Sequence, residues 1–193
     1  MKIVNVVATA RLHKPIDLNL LDGYNPKKFN GAIVNRSKAT FLIFSNGKIV
    51  VNGTPTLRQA KLACKDLGAE LQIKIGKVTA QNIVGSGCIE PLRPADLYRW
   101  LGKKFNPSLE PELFPGMCLR IGGAAVRLFR TGKYFITGVK SVHTLRAVNK
   151  KFLCIIKKFQ NLSNGVKSLL ARELALKYIH THTVRRHFMH THT

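Results

Sequence analysis

The sequence predicts an α+β fold: one antiparallel sheet, helices on one of its faces, and two copies of a single unit. Three observations predict it. The chain repeats itself: Phe41-Leu-Ile-Phe44-Ser-Asn-Gly-Lys48 and Val50-Val-Asn-Gly53 return as Val126-Arg-Leu-Phe129-Arg-Thr-Gly-Lys133 and Phe135-Ile-Thr-Gly138, each Phe, Gly-Lys and closing Gly 85 residues on. Val4-Asn5-Val6-Val7 returns as Gln81-Asn82-Ile83-Val84, 77 residues on, so the first copy is longer at that end. Short segments alternate apolar and polar residues between Gly-containing turns, the period-two signature of half-buried strands. Each copy then closes on apolar residues at helical spacing. Such repetition implies a pseudo-symmetric protein whose partner surface is built from both halves. The copies span 1–76 and 77–160, and 161–193 is an extension beyond them.

Ile3 to Arg11 alternates, with Val4, Val6, Ala8 and Ala10 on one face and Asn5, Val7 and Thr9 on the other. The result is a strand with one apolar face and one uncharged, mildly polar face. Asp17 to Leu21 starts a short helix closed by Gly23. Phe29 to Asn35, Thr40 to Phe44 and Lys48 to Asn52 follow as three paired strands.

Burial settles the register of the last pair. A two-residue Asn46-Gly47 loop would pair Phe44 with Ile49. A three-residue loop with Gly47 left-handed pairs Phe44 with Lys48 and Leu42 with Val50, placing Phe41, Ile43, Ile49 and Val51 on one wholly apolar face. A slip of one residue would mix the two sets, so the three-residue loop is predicted. The second copy agrees, with Val126, Leu128, Tyr134 and Ile136 inward and Arg127, Phe129, Lys133, Phe135 and Thr137 outward.

Leu57, Ala60, Cys64 and Leu67 give the first closing helix; Val142, Leu145, Val148, Phe152, Ile155 and Phe159 give the second. Val166 to Tyr178 is a further amphipathic segment, and the chain ends in His180-Thr-His-Thr and His190-Thr-His-Thr.

Charge narrows the function. There are 32 Lys+Arg against 9 Asp+Glu, a net +23. No acid lies between Asp22 and Asp66 or between Glu112 and Glu173. Such a chain meets a polyanion, because neutralising phosphates releases counterions and dominates affinity. On charge alone an anionic membrane surface is the main rival to nucleic acid; the apolar runs fall well short of the ~18 residues of a span, and no membrane partner is expected. Four dispersed cysteines without a C-x-x-C pair speak against a zinc site and against a disulfide scaffold. The alternating His-Thr tail lacks a second ligand pair and a buried frame, so neither metal nor cofactor is expected. Acids are too few for paired-carboxylate catalysis, there is no P-loop, and Cys and His form no plausible dyad; an enzyme is not expected.

Tyr24-Asn-Pro-Lys-Lys-Phe29, Gln81-Asn-Ile-Val-Gly-Ser86 and Glu110-Pro-Glu-Leu-Phe-Pro-Gly116, in this order and spacing, resemble the core of the TATA-box-binding protein family from about Ile3 to Gln160. The resemblance implies a saddle: a ten-stranded curved antiparallel sheet with helices on the convex face and DNA under the concave one. Family members are themselves the standard example of minor-groove kinking by inserted apolar wedges, with a bend of about 80°.

By that resemblance, Phe29 with Phe44 would open one end base step and Phe114 with Phe129 the other. Asn5 and Asn82 would hydrogen-bond the acceptor-only edge of central A·T pairs. Val7, Val84, Leu42 and Val50 would touch the groove floor and disfavour guanine's amino group. Thr9, Asn52 and Thr137 are further groove-face polar groups, and Arg127 and Phe135 share that face. Lys28, Lys48, Arg120 and Lys133 are the expected phosphate contacts. Glu110, Glu112 and Leu113 resemble the stirrup that receives general transcription factor IIB.

The implied function is recognition and bending of A/T-rich promoter DNA and nucleation of a transcription initiation complex. That places the protein in the nucleus, or in a viral transcription compartment if a virus encodes it. Other implied partners are a factor IIA-like protein and TATA-binding-protein-associated regulators.

The chain also departs from the family pattern. Both Phe-to-Phe hairpins are two residues shorter, an even deletion that preserves side-chain facing. Leu57 to Leu71 lacks the dense Arg/Lys run, which puts factor IIA-like contacts in question. Arg127 and Phe135 replace small or branched apolar residues; Arg127 either grips a narrow groove or loosens sequence preference. The alternatives are therefore an architectural or protein-interaction module with reduced promoter selectivity, and, more distantly, a basic RNA-binding protein.

Overall fold

The structure, a computed structural model, describes residues 1–36 and 39–162. The expected segment from Val166 to Tyr178 and the His-Thr tail lie outside the described residues. The chain divides into two compact units, Met1–Lys151 and Phe152–Thr193.

The first unit holds the whole sheet. Its strands are β1 (Lys2–Arg11), β2 (Ala32–Arg36), β3 (Ala39–Ile43), β4 (Lys48–Thr54), β5 (Thr79–Cys88), β6 (Gly116–Ile121), β7 (Ala124–Phe129) and β8 (Lys133–Val139). They form one open, curved antiparallel sheet in the order β2-β3-β4-β1-β5-β8-β7-β6. The order is a palindrome of the two copies about the β1–β5 pair, as the repeat requires. Eight strands are described, not the ten implied by resemblance. At each edge a single bridge stands where a further strand would lie, Tyr24↔Ala32 beside β2 and Ser108↔Cys118 beside β6.

The hairpin registers follow the burial argument. Leu42 pairs with Val50 and Phe41 with Val51. Phe44 N–H donates to Lys48 O (2.9 Å) and Gly47 N–H to Phe44 O (2.9 Å), closing a three-residue loop. Gly47 and its counterpart Gly132 hold φ of +79° and +81°, which a residue with a Cβ adopts only under strain. Phe41, Ile43, Ile49 and Val51 are each 0% exposed; burying each contributes roughly 1.5–3 kcal/mol. One departure lies at the start of β1, where Val4 shares the apolar face yet remains exposed.

Helices cover one face only. α1 (Leu57–Glu70) starts at the Thr56 cap, whose side chain accepts from Gln59 N–H. It buries Ala60, Cys64 and Leu67 and packs on β4 and β1. Gly68 does not end it; a Cβ there would come within 3.0 Å of Ile73 O, so glycine lets the returning chain close onto the helix. α2 (Pro94–Leu101) packs on β6, with Leu97 and Leu101 buried. Sequence reasoning passed over this helix; its one local signal is Pro94 at the first turn, where a missing N–H costs nothing. The first copy has only a 3₁₀ turn at this place, Leu18–Leu20, capped by Asp17.

A third helix, α3, is described over 142–162. Leu145 sits beside Gly85, and Tyr134 Oη donates to Asn149 Oδ1 (2.7 Å). Leu145, Val148, Phe152, Ile155 and Ile156 are buried, whereas Val142 is exposed and Phe159 half-buried. The apolar stripe was thus right at its centre and too wide at its ends. No described helix is long and apolar enough to cross a membrane.

Burial pushes the Cys64 thiol up to about 11 from 9.0. With the folded value raised, any stability due to the neutral thiol is complete below pH 9 and falls away as pH climbs toward 11. At neutral pH, Cys88, which is exposed, is expected to react with a thiol reagent in the native protein at least about a hundredfold faster than Cys64. Peptide mapping after timed alkylation checks this; comparable rates would mean that α1 does not stay docked.

Candidate nucleic-acid interface

The face opposite α1 carries every second residue of the eight strands. None of those strands contains an Asp or Glu at any position. The described ion pairs join Arg36 to Asp22 and Glu70, and Arg93 and Arg99 to Asp96, all away from this face. The Glu70 carboxyl is held below its usual range by its hydrogen bond with the Arg36 guanidinium. Both partners are solvent-exposed, so the pair adds little stability. Among the described residues, no ion pair joins the cations of the open face to an acid.

Two phenylalanine pairs mark its ends. Phe29 and Phe44 meet edge to face, centroids 5.8 Å apart, and Phe114 and Phe129 do so at 5.5 Å. All four rings are half-buried. Phe29 and Phe114 reach the sheet from matching turns, in which Phe29 N–H donates to Asn25 O and Phe114 N–H to Glu110 O. Each pair lies over a glycine. A Cβ at Gly31 would come within 2.9 Å of the Phe29 ring, 3.0 Å of Ile43 O and 3.3 Å of the Phe44 ring. At Gly116 the same distances recur for Phe114, Leu128 O and Phe129. The rings of each pair therefore rest against bare backbone.

Asn5 and Asn82 lie on the central strands, β1 and β5. Gly53 N–H donates to Asn5 Oδ1 (3.0 Å), and Gly138 N–H donates to Asn82 Oδ1 (2.8 Å). A backbone N–H can only donate, so each amide presents its oxygen inward and its NH₂ elsewhere. One N–H goes to a neighbour, Asn52 Oδ1 (2.7 Å) for Asn5 and Thr137 Oγ1 (3.0 Å) for Asn82. Among the described residues, the second N–H of each amide has no hydrogen-bond partner. Asn52 and Thr137, 85 residues apart, thus serve as positioners as well as surface groups.

Val7, Val84, Leu42 and Val50 are half-buried and form the apolar floor between these landmarks. Thr9 stands beside them, but its hydroxyl already accepts from Gln81 Nε2 (2.9 Å). Lys48, Lys133, Arg120 and Arg127 are exposed on the same face; Lys28 lies in the turn before Phe29. Phe135 packs edge-on to Phe129, centroids 6.1 Å apart, and the Lys133 ammonium lies 5.3 Å from its ring centre. The Arg127 guanidinium lies 5.5 Å from the ring centre of Phe114. Glu110, Glu112 and Leu113 sit in the turn outside the sheet, and Leu113 is 81% exposed.

Sequence reasoning passed over three residues of this face. Ile33, paired with Leu42, is an exposed apolar residue. Ser86 is the counterpart of Thr9 at the 77-residue offset. Arg11 faces Lys48 directly across β1–β4. Like charges so placed repel, an arrangement suited to an anion between them. Strand parity alone would have found all three.

Among the described residues, no group of three His, Cys, Asp or Glu side chains is placed to hold a metal. The arrangement gathers two aromatic pairs, two central amides and several cations on one acid-free sheet face.

The comparisons with known proteins agree. The family model described as Transcription factor TFIID (or TATA-binding protein, TBP) matches residues 1–73 and 77–159. TATA-box-binding protein 2 of Entamoeba histolytica is 37% identical over 173 residues, covering 80% of each chain. The TATA-box-binding protein of Pyrodictium occultum is 38% identical over 165 residues, covering 77% of this chain and 82% of its own. The solved structure of Methanococcus jannaschii TBP superposes with a TM-score of 0.68 at 31% identity, covering 81% of this chain and 98% of that one. With its sheet, its two phenylalanine pairs and its acid-free strands, the chain belongs to the TATA-binding protein family of non-enzymatic, DNA-binding general transcription factors.

Proposed function

We propose that the open face lies in the minor groove of A/T-rich promoter DNA and bends it, and that the bent complex nucleates assembly of the transcription initiation machinery. The observation that carries this reading is the repeated wedge: two phenylalanine pairs, each over a glycine, at matching places on a face whose strands hold no acid. Rings entering a base step replace the stacking lost there, and the bend allows more of the sheet to meet the groove. Asn5 and Asn82 donate to A N3 and T O2 at the centre, while the Val and Leu floor excludes the guanine amino group. Lys28, Lys48, Arg120 and Lys133 take phosphates.

Glu110, Glu112 and Leu113 receive a factor IIB-like protein. The corresponding turn of the first half reads Asn25-Pro-Lys-Lys28, so the two ends of the protein offer opposite charge to partners. In a eukaryotic cell this function belongs to the nucleus.

The test is binding and bending on matched duplexes, one with a TATA-like centre and one G·C-rich, read by gel shift and by energy transfer between end-attached dyes. Discrimination of on the order of a thousandfold and bending of the TATA-like duplex are expected. Equal affinity for both duplexes would instead favour the module with altered selectivity, for which Arg127 and Phe135 are the motivating residues.

A further inference from the structure

α1 carries opposite charge along its two sides. Lys61 and Lys65 line a cleft on one side, with Lys74 and Lys77 of the returning chain. On the other side Leu62, Ala63, Asp66 and Glu70 line a second cleft of about 370 Å³, which reaches Thr54 at the end of β4 and Arg36 at the end of β2. Three features set the second cleft apart. It gathers acids in a chain of net +23: the Arg36 guanidinium lies 2.7 Å from Glu70 and 3.6 Å from Asp22, and Asp66 has no ion-pair partner among the described residues. Three carboxylates around one guanidinium leave negative charge in excess. Its wall is apolar, and Leu62 stays 51% exposed on it. Thr54 is 2% exposed, yet its Oγ1 is the one buried side-chain N or O without a hydrogen-bond partner among the described residues.

We infer that this cleft is a docking site for a basic segment of a partner protein, one arginine of which enters it. The stem of that arginine lies along Leu62 and Ala63, its guanidinium donates to Thr54 Oγ1, and the carboxylates of Asp66 and Glu70 compensate its charge and that of neighbouring cations. Each feature of the cleft selects this occupant. An unpaired buried hydroxyl is costly, and a wholly apolar side chain would leave it unpaired. A long cationic side chain covers apolar surface with its stem and keeps a polar head. The guanidinium is more weakly hydrated than an ammonium, so it leaves water at lower cost, and its five N–H groups only donate. An acidic segment would be repelled here and drawn to the lysine-lined side of α1 instead. The cleft lies beside α1, away from the open face of the sheet, so docking here neither requires nor blocks DNA on that face.

The test is fluorescence anisotropy of the full chain, without DNA, against a labelled acetyl-Lys-Ala-Arg-Ala-Lys peptide and the same peptide with norleucine at its centre, which keeps the stem and removes the head. Saturable binding of the arginine peptide is expected, at least about tenfold tighter than that of the norleucine peptide. Thr54→Val should remove that advantage while leaving the melting temperature of the free protein unchanged or higher, because no hydrogen bond is lost from it. Asp66→Lys should weaken the arginine peptide by about fivefold or more, and Lys65→Gln, on the other side of α1, should leave it within about twofold. Failure of the arginine peptide to saturate overturns the inference, as does equal binding of the two peptides or an advantage that survives Thr54→Val. A fall in melting temperature on Thr54→Val shows that the hydroxyl is already paired in the free protein, and overturns it as well.

Discussion

Replacing Phe44 and Phe129 together by Ala is expected to abolish the DNA bend and weaken binding to a TATA-like duplex by two to four decades. Stacking of a base on an aromatic ring is worth about 1–3 kcal/mol, or roughly tenfold to a hundredfold for each single change. The two sites lie at opposite ends of the sheet, so the losses should add. Phe44→Ala removes one ring of a half-buried pair and leaves the Phe41, Ile43, Ile49 and Val51 layer intact, so the melting temperature should move little. Phe41, on the same hairpin but 0% exposed, is the control. Phe41→Ala should cost about 3–5 kcal/mol of stability, as a core cavity does. Gel shift, dye-to-dye distance and thermal melting on the three variants separate wedge from core. If Phe44→Ala melts like Phe41→Ala, or the double variant still bends DNA, the rings are packing residues and the proposed mechanism is wrong.

Much of this was legible in the sequence because the repeat and the strand alternation constrain each other. Burial of Phe41 against Val51 could be argued only in one register, and that register fixed the facing of Leu42, Phe44, Lys48 and Val50. A second copy with the same alternation removed the remaining freedom. What stayed hidden depends on geometry between distant segments. The seats at Gly31 and Gly116 require knowing that Phe29 returns over β3, which no local pattern encodes. The amide anchors at Gly53 and Gly138 arise from contacts between residues 48 and 56 positions apart. α2 is eight residues long, too short for periodicity to declare itself. The two further edge strands were an expectation carried over from the family; among the described residues a single bridge stands at each place. Arg127 shows the opposite case: its exposure was read correctly from strand parity, but its stacking on Phe114 appears only when the turn from Glu110 to Phe114 is placed.

The Gly53 and Gly138 anchors make Asn5→Asp and Asn82→Asp the sharpest probes of the central contacts. Aspartate has almost the shape of asparagine, and each glycine N–H would still find an oxygen, so the strands keep their register. At Asn82 the change falls on the outward group, because the Thr137 hydroxyl can turn to donate; at Asn5 it also sets the new oxygen against Asn52 Oδ1, so Asn82→Asp is the cleaner probe. An NH₂ that can donate to the floor of the groove becomes an oxygen that can only accept, now carrying a full negative charge. A·T pairs offer acceptors alone at this edge, so the carboxylate loses its partner and meets like-signed potential as the groove closes over it. A charged group left unpaired at a dry contact costs on the order of 3 kcal/mol, about two decades in Kd. The two residues sit close on paired strands, where Asn5 faces Val84 and Asn82 faces Val7. Their effects should therefore couple, with a double variant departing from the product of the singles. Titrations of the single and double variants against one A/T-rich duplex at fixed salt, with thermal melting alongside, give the result. If either single variant binds within about threefold of the Asn protein, the centre of the sheet does not donate to base edges. Recognition would then rest on the wedges and the apolar floor alone.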